Sequence, residues 1–467
     1  MFIKQFYTSC LSEAAYYIES EGEAAIIDPL RDIDSYIVLA EQRKAKIKFI
    51  FETHFHADFI SGHLDLSNET GAPIIFGPGA KANYNIYQSK DKELFLLGNI
   101  AIEVLHTPGH TIESTCYLLY NEKKEPYALF SGDTLLVGDV GRPDLNSGNM
   151  DSEELAGMMY DSIHQKLITL PDNVLVYPAH GPGSACGKKL GADTSSTIGE
   201  QKKTNYALQA QTKEAFVKIV TSGLVATPKY FSINTMINQQ GYESLKEVLS
   251  RATKALDVSE FKKTLDAETF MLDTRHATEF TQGFIPGAIF IGLEGRFAEW
   301  AGSLLPFDKQ IVLITDKGKE EEAVTRLARV GFSKISGFLK GGFPAWKEAK
   351  EPIDMIIDIE PDELLMDIPF DPKLTVLDVR REMEFAEGHL VNAVNMPLQD
   401  MYDIAQLAGL EESENIYIHC AGGYRSVIAA SLLKRQGYHN LRNVLGGWDK
   451  IKLQQNVKIV QETEALN

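Results

Sequence analysis

The chain has 467 residues, 44% hydrophobic and 24% charged, more than a single hydrophobic core organises, so two to four globular domains are expected. Acidic residues outnumber basic ones 65 to 46, a formal charge of −19, and no stretch gathers Lys and Arg into a stripe, which argues against nucleic acid and anionic membrane as partners. No apolar run reaches the roughly 18 residues of a membrane span and the first residues lack a secretory apolar core, so a cytoplasmic location is expected. Cys10, Cys116, Cys186 and Cys420 are too few and too dispersed for a disulfide framework, and any cysteine that matters here is a working thiol.

In chain order, four short apolar runs end in polar clusters: I47-K-F-I-F-E-T-H, I100-A-I-E-V-L-H-T-P-G-H, A128-L-F-S-G-D and V174-L-V-Y-P-A-H. Each reads as a strand, and His54, His56, Asp58, His110, Asp133 and His180 all fall at a strand's C-terminal end or in the loop after it. Side chains from separate strands converge at such ends. An alternating H-x-H-x-D aims two imidazoles and a carboxylate from one tight loop, and this donor set suits Zn or Fe. His63, His106 and His164 lie outside the pattern and read as structural or surface residues. Arg142, in G141-R-P-D144, is open to two roles, binding a substrate carboxylate or pairing with Asp144. Cys186 and Lys188, in G181-P-G-S-A-C-G-K-K189, either border the substrate channel after His180 or are plain loop residues. Cys10 and Cys116 sit in apolar surroundings and read as inert.

Residues 200–220 read as a mostly helical link, and the Gly and Pro of G223-L-V-A-T-P-K-Y-F and Q240-G-Y as an irregular connector. An internal repeat follows. M271-L-D-T-R275, E279-F280 and G283-F-I-P-G-A288 recur 105 residues on as V376-L-D-V-R380, E384-F385 and G388-H-L-V-N-A393. Strand-like runs (I311-V-L-I-T, I416-Y-I-H) precede helically spaced ones (A323-V-T-R-L-A-R-V, V427-I-A-A-S-L-L-K-R) in both copies, the mark of a parallel sheet. In the second copy, H419-C-A-G-G-Y-R-S426 delivers Cys420 from a strand into a loop just before a helix. The backbone N–H groups of Ala421, Gly422, Gly423 and Tyr424, the helix N-terminus and Arg425 are placed to stabilise a thiolate or bound anion, which makes Cys420 a candidate nucleophile. In the first copy Thr315 stands at that position and Glu320 at that of Arg425, so neither nucleophile nor anion cradle is expected there.

The first 250 or so residues resemble the metallo-β-lactamase superfamily, which implies an αβ/βα four-layer sandwich over 1–252, helical at its C-terminal end. Dinuclear hydrolases of that superfamily, such as glyoxalase II, carry T-H-x-H-x-D-H. Phe59 replaces the last histidine here, which weakens a second metal. The single-metal persulfide dioxygenases of the same superfamily imply a facial triad of His54, His110 and Asp133 on one Fe(II) per chain, with Zn the alternative as isolated. His56, Asp58 and His180 would then orient ligands or handle protons. The Cys420 loop, D378-V-R380, E384-F385 and L445-G-G-W448 resemble rhodanese, and C-x4-R is the tighter ring associated with sulfur transfer, against C-x5-R in tyrosine-phosphatase-like relatives. Two rhodanese-like α/β domains with parallel sheets follow, a silent one at 253–354 and an active one at 355–462. The whole arrangement is similar to bacterial persulfide dioxygenase–sulfurtransferase fusions. It implies O2-dependent oxidation of a small-thiol persulfide to sulfite, coupled to making or using thiosulfate through Cys420, in disposal of sulfide-derived sulfur. A thioester metallohydrolase fused to a sulfurtransferase is the alternative. The thiol carrier, the direction of sulfur flow and whether the chain forms a homo-oligomer are left open.

Overall fold

The computed structural model describes residues 1–145, 150–224, 226–266, 268–401, 409–411 and 413–462. Among these, the first half forms two six-stranded sheets. One takes β1 (Phe2–Thr8), β2 (Glu13–Ser20), β3 (Glu23–Ile27), β4 (Lys46–Phe51), β5 (Ile74–Phe76) and β6 (Tyr87–Gln88) in order, antiparallel as far as β3 and parallel beyond. The other takes β7 (Leu94–Leu97), β8 (Ile100–His106), β9 (Thr115–Tyr120), β10 (Pro126–Gly132), β11 (Leu175–Pro178) and β12 (Ser196–Thr197), also in order, with β10 and β11 parallel and the rest antiparallel.

The period of two along a strand decides what each face meets. Ala14, Tyr16 and Ile18 of β2 pack on Ile102, Val104, Tyr117 and Phe130 of the second sheet. Ala15 and Tyr17 point the other way, toward Tyr36 and Ala40 of the helix Asp34–Arg43 and Leu66 of the helix His63–Thr70. On the far side of the second sheet Leu105, Cys116, Leu118 and Leu129 meet Ala156 and Met159 of the helix Ser152–Ser162 and Phe216 and Val220 of the helix Lys213–Thr221. The layers therefore run helix, sheet, sheet, helix. At about 1.5–3 kcal/mol for each large apolar side chain buried, these three interfaces form the frame that holds the buried polar groups at the strand ends.

The link at 200–220 is helical as expected, with Ile198–Thr204 capped by Thr197 and Lys213–Thr221 capped by Thr212. The connector after it differs from expectation. Apart from residue 225, which lies outside the described residues, it is irregular only as far as Pro228; the helix Tyr230–Gln240 follows, stopped by Gly241 at φ 91°. Pro before and Gly after are helix punctuation, so the residues that read as a loop mark the two ends of a helix.

The second half holds two all-parallel sheets of the same strand order. In the first, β13 (Ala255–Leu256), β14 (Thr269–Asp273), β15 (Ile289–Phe290), β16 (Gln310–Ile314) and β17 (Ile335–Leu339) lie as β13-β17-β16-β14-β15. In the second, β18 (Ile357–Ile359), β19 (Leu374–Asp378), β21 (Val394–Asn395), β22 (Asn415–His419) and β23 (Leu441–Val444) lie as β18-β23-β22-β19-β21, while β20 (His389–Leu390) pairs with β24 (Ile459–Val460). The chain divides into two compact units: Met1–Glu247 with Leu327–Phe332, and Val248–Arg326 with the chain from Ser333 onward. No helix of the described residues is long and apolar enough to cross a membrane.

One glycine ties the first sandwich to its strand-end loops. Gly109 (φ 149°) precedes His110, and a Cβ there would lie 2.4 Å from the Cα and Cβ of Met159 in the packed helix. Gly109→Ala is expected to destabilise this unit by about 2 kcal/mol and lower its thermal midpoint by roughly 4–8 °C. An unchanged midpoint by circular dichroism would contradict the packing.

Candidate metal centre and nucleophile loop

The loop after β4 is clamped from both ends. Asp28, at the end of β3, accepts the Thr53 N–H at 2.7 Å on one oxygen and the Thr53 hydroxyl at 2.8 Å on the other. Asn238, from the helix Tyr230–Gln240, donates to the carbonyls of His56 and Phe59, both at 2.8 Å, and accepts from the Ser61 N–H. Neither clamp was expected from sequence. Asp28 and Asn238 carry no local pattern, and Asn238 is 182 residues from His56.

His54, His110 and Asp133 are buried and bring one donor atom each within 4.8 Å of one another. His110 Nε2 is 3.4 Å and His54 Nε2 4.0 Å from Asp133 Oδ2. The carbonyl of Arg142 accepts from His110 Nδ1 at 2.8 Å, so Nε2 is left as a lone pair turned toward the carboxylate. A second set, His56, Asp58 and His180, brings its donor atoms equally close, with His180 Nε2 3.5 Å from Asp58 and 3.6 Å from Asp133. Burial, then the neighbouring His56, His110 and His180, hold His54 well below the ordinary imidazole range. Burial also lowers His110. At His180 burial opposes the charged form, but Asp133 and Asp58 outweigh it and its proton is held more tightly than usual.

His110 Nε2, His180 Nε2, Asp58 Oδ1 and both oxygens of Asp133 are buried without a hydrogen-bond partner. Each such atom costs on the order of 1–3 kcal/mol, and a cation between them would offset that cost at several at once. Neutral imidazole nitrogen and carboxylate oxygen are ligands for Zn or Fe. The residues thus fit a metal ion. Phe59 adds no donor: its ring is fully buried and stacks on His56 with centroids 4.2 Å apart, leaving the second set with three.

The flanking residues take distinct places. Arg142 makes a bidentate pair with Asp144, at 2.6 and 2.8 Å, the internal one of its two expected roles, and its backbone orients His110. Cys186 is buried, with Sγ within 4.8 Å of donor atoms of Asp133 and His180. Burial, then Asp58 and Asp133, push its thiol well above the ordinary range. Lys188, open in sequence to the substrate channel or to a plain loop role, is held by a neighbouring helix end. Its ammonium binds the carbonyls of Ser222 and, at 3.5 Å, Ile219, at the end of the helix Lys213–Thr221, where exposed carbonyls and the helix dipole favour a cation. Burial pushes the Cys116 thiol up to about 11. His63 bonds to Tyr84 and lies 3.2 Å from Glu52, while His106 and His164 bond to backbone carbonyls.

In the second unit β22 ends at His419 and hands Cys420 to a turn closed by Gly423 (φ 108°), whose N–H reaches Sγ at 3.1 Å. The backbone of 446–448 presses on the same turn. Trp448 N–H donates to the Cys420 carbonyl at 2.6 Å, and a Cβ on Gly447 would lie 2.3 Å from that oxygen. Arg425 makes a bidentate pair with Glu384, both bonds 2.7 Å, so its charge is shared with the E-F motif of the repeat. In the preceding repeat Glu279 holds the position of Glu384 while Glu320 opens the helix Glu320–Ala328. The D-x-R motifs are framework in both repeats: Arg275 pairs with Asp273 and reaches the Gly283 carbonyl, as Arg380 does with Asp378 and Gly388.

The model of the metallo-beta-lactamase superfamily matches residues 9–180, and that of the rhodanese-like domain matches residues 257–349 and 360–454. The persulfide dioxygenase ETHE1, mitochondrial, of Bos taurus is 31% identical over 202 residues, which cover 42% of this chain and 71% of that protein. The chain belongs to the metallo-beta-lactamase superfamily. Two rhodanese-like domains follow its metallo-beta-lactamase domain. It is also similar to a probable hydroxyacylglutathione hydrolase of Schizosaccharomyces pombe, 34% identical over 165 residues, 35% of this chain, and spans 60% of that relative's length. Among solved structures, a metallo-beta-lactamase from Staphylococcus aureus subsp. aureus COL is 35% identical, with TM-score 0.65, and the match covers 73% of this chain and 99% of that one.

The Asn238 clamp gives a test. Asn238→Leu is expected to weaken zinc or iron retention about tenfold in competition with a chelator, the usual scale for a group that orients a ligand loop. Retention equal to wild type would contradict it.

Proposed function

We propose that this chain oxidises low-molecular-weight persulfides with O2 and couples that reaction to sulfur transfer through Cys420. The observation that carries the reading is the buried donor set of His54, His110 and Asp133, with His110 Nε2 and both Asp133 oxygens left without a hydrogen-bond partner, in a chain similar to a persulfide dioxygenase and bearing rhodanese-like domains. The proposed domains are 1–252 for the dioxygenase, 253–354 for a silent rhodanese-like domain and 355–462 for the active one. The net first reaction is RSSH + O2 + H2O giving RSH, sulfite and two protons.

His54, His110 and Asp133 would hold one Fe(II), which when bound offers open positions for O2 and the substrate sulfur. His56, Asp58 and His180 would stand around it as orienting and proton-handling groups, with Asp133 and Asp58 holding the His180 proton more tightly than in an ordinary imidazole. Arg142 contributes by fixing His110. Cys186 is the thiol next to this centre and the proposed neighbour of the incoming persulfide. At the second site the N–H groups of the Ala421–Tyr424 turn cradle a persulfide on Cys420, with Arg425 and Glu384 as a paired wall. Sulfite attacking the outer sulfur of that persulfide forms thiosulfate and returns the Cys420 thiolate; the reverse reaction loads Cys420. The role is disposal of sulfide-derived sulfur in the cytoplasm.

A thioester hydrolase is the second reading, favoured by the His56–Asp58–His180 set and by the similarity to a hydroxyacylglutathione hydrolase. It calls for a second metal where Phe59 supplies no ligand.

Asp133→Ala is expected to remove metal binding and O2 uptake while thiosulfate:cyanide sulfur transfer persists. Cys420→Ser is expected to do the reverse, with sulfite accumulating in place of thiosulfate. Loss of both activities in a folded Asp133→Ala variant would contradict two separate sites.

A further inference from the structure

The same edge strand meets different surroundings in the two repeats. In the silent repeat β15 and the Ile291 that follows it are buried, whereas Val394 of β21, at the same place in its sheet, is 43% exposed. The helix Tyr424–Arg435, which starts at the Cys420 loop, packs on β15. It is buried without a break from Ser426 to Ser431, with its own strands β22 and β23 on one side and the silent repeat on the other.

Three polar contacts fasten this helix to the silent repeat. The Tyr424 hydroxyl donates to the Gly292 carbonyl at 2.7 Å, the Phe290 N–H donates to Ser431 Oγ at 3.0 Å, and Arg435 donates to the Gly287 carbonyl at 3.0 Å. Steps of seven and four residues return to one face of a helix, so the three form a row, and their partners run back along the strand as 292, 290 and 287. The Phe290 ring meets Tyr424 edge-on with centroids 5.9 Å apart, and the Arg435 guanidinium lies over the Phe270 ring.

The silent side of this contact is rigid. β15 pairs with β14, the Ile291 and Leu293 N–H groups donate to the Asp273 and Thr274 carbonyls at 3.0 and 3.1 Å, and Arg326 donates to the Leu293 carbonyl. Gly292 leaves no room for a side chain, since a Cβ would lie 2.9 Å from the Arg275 carbonyl oxygen and 3.0 Å from the Phe290 ring. The other side is the part that needs holding. Gly423, whose N–H reaches Cys420 Sγ at 3.1 Å, has φ 108° and no side chain to fix it, so the aim of that N–H depends on its neighbours. Trp448 steadies one flank at the Cys420 carbonyl, and Tyr424 is the flank on the other side.

We propose that the silent repeat is a clamp on the helix Tyr424–Arg435, with Tyr424 the positioning residue that keeps the Gly423 N–H aimed at Cys420 Sγ. The use of the clamp in sulfur transfer rests on the reading of Cys420 as a sulfur carrier. In loading from thiosulfate, Sγ attacks the outer sulfur, one S–S bond forms as the S–S bond of thiosulfate breaks, and sulfite leaves with the electron pair. The loop has to present the same N–H to a sulfur that is alternately bare and substituted, and a fixed helix start keeps it in place through both states.

The test uses the full-length protein. Hydrogen exchange is followed by mass on peptides covering Cys420–Val427, and persulfide formation on Cys420 is followed in time under argon with excess thiosulfate, which separates the rate constant from the final extent. Tyr424→Phe keeps the ring and removes only the hydroxyl. It is expected to speed exchange in those peptides about fivefold, the scale of one hydrogen bond, and to slow loading about threefold at undiminished final extent. A protein that is merely less stable loses extent instead. Ser431→Ala, which cuts the second fastening, is expected to speed exchange farther along the helix and to affect the loop peptides less. Exchange equal to wild type, or a loading rate constant unchanged or raised, in Tyr424→Phe would overturn the proposal. A wild-type protein that acquires no persulfide would instead overturn the sulfur-carrying role of Cys420, and exchange alone would then decide the clamp.

Discussion

At the first centre, everything depends on confining mutually repelling or unsatisfied groups in a space closed to water. Asp133 offers two oxygens with no hydrogen-bond partner, His110 turns a bare Nε2 toward it, and His180 Nε2 lies 3.6 Å away. Such a cluster is costly on its own. It persists because rigid elements bring it together: the Asp28 and Asn238 clamps on one loop, the Arg142 carbonyl behind His110, and the Gly109 turn set against Met159. The sandwich exists, in this sense, to hold a few atoms in an arrangement they would not choose.

The second centre solves an opposite problem. In the proposed sulfur transfer Cys420 needs a place for negative charge that moves by one sulfur, and the loop offers it backbone, with Arg425 paired to Glu384. Gly423 donates to Sγ, the helix starts at the loop, and Arg425 is already balanced by Glu384. A strong fixed positive charge would hold an anion too long for a group that, on the proposed reading, is both loaded and discharged. The pairing of Arg425 with Glu384 leaves the loop polar without making it sticky.

What could be read from sequence was whatever is local. T53-H-F-H-A-D-F59 and H419-C-A-G-G-Y-R-S426 carry candidate donors and a candidate nucleophile within a few residues of each other, so type and spacing announce them. The parallel sheets of the repeats were legible because strand and helix patterns alternate there. By contrast β2, buried at every position, shows no alternation to read although its two faces meet different layers. Asn238 reaches its loop only through tertiary structure. Lys188 has two open readings in the sequence because it follows His180 closely, and the helix end that holds its ammonium lies some thirty residues on. Pro228 and Gly241 were read as loop residues when they punctuate a helix, an ambiguity that only the intervening residues, packed or not, resolve.

The central claim is that the metal centre uses O2 on a persulfide. Its most direct test is oxygen consumption by the Fe(II)-loaded protein given a small-thiol persulfide, with sulfite and thiosulfate measured in the same vessel. The account predicts O2 uptake matched by the oxidised sulfur formed, about one O2 for each sulfite released or captured as thiosulfate. No O2 uptake across several thiol carriers, with iron confirmed bound, would contradict it and point to thioester hydrolysis.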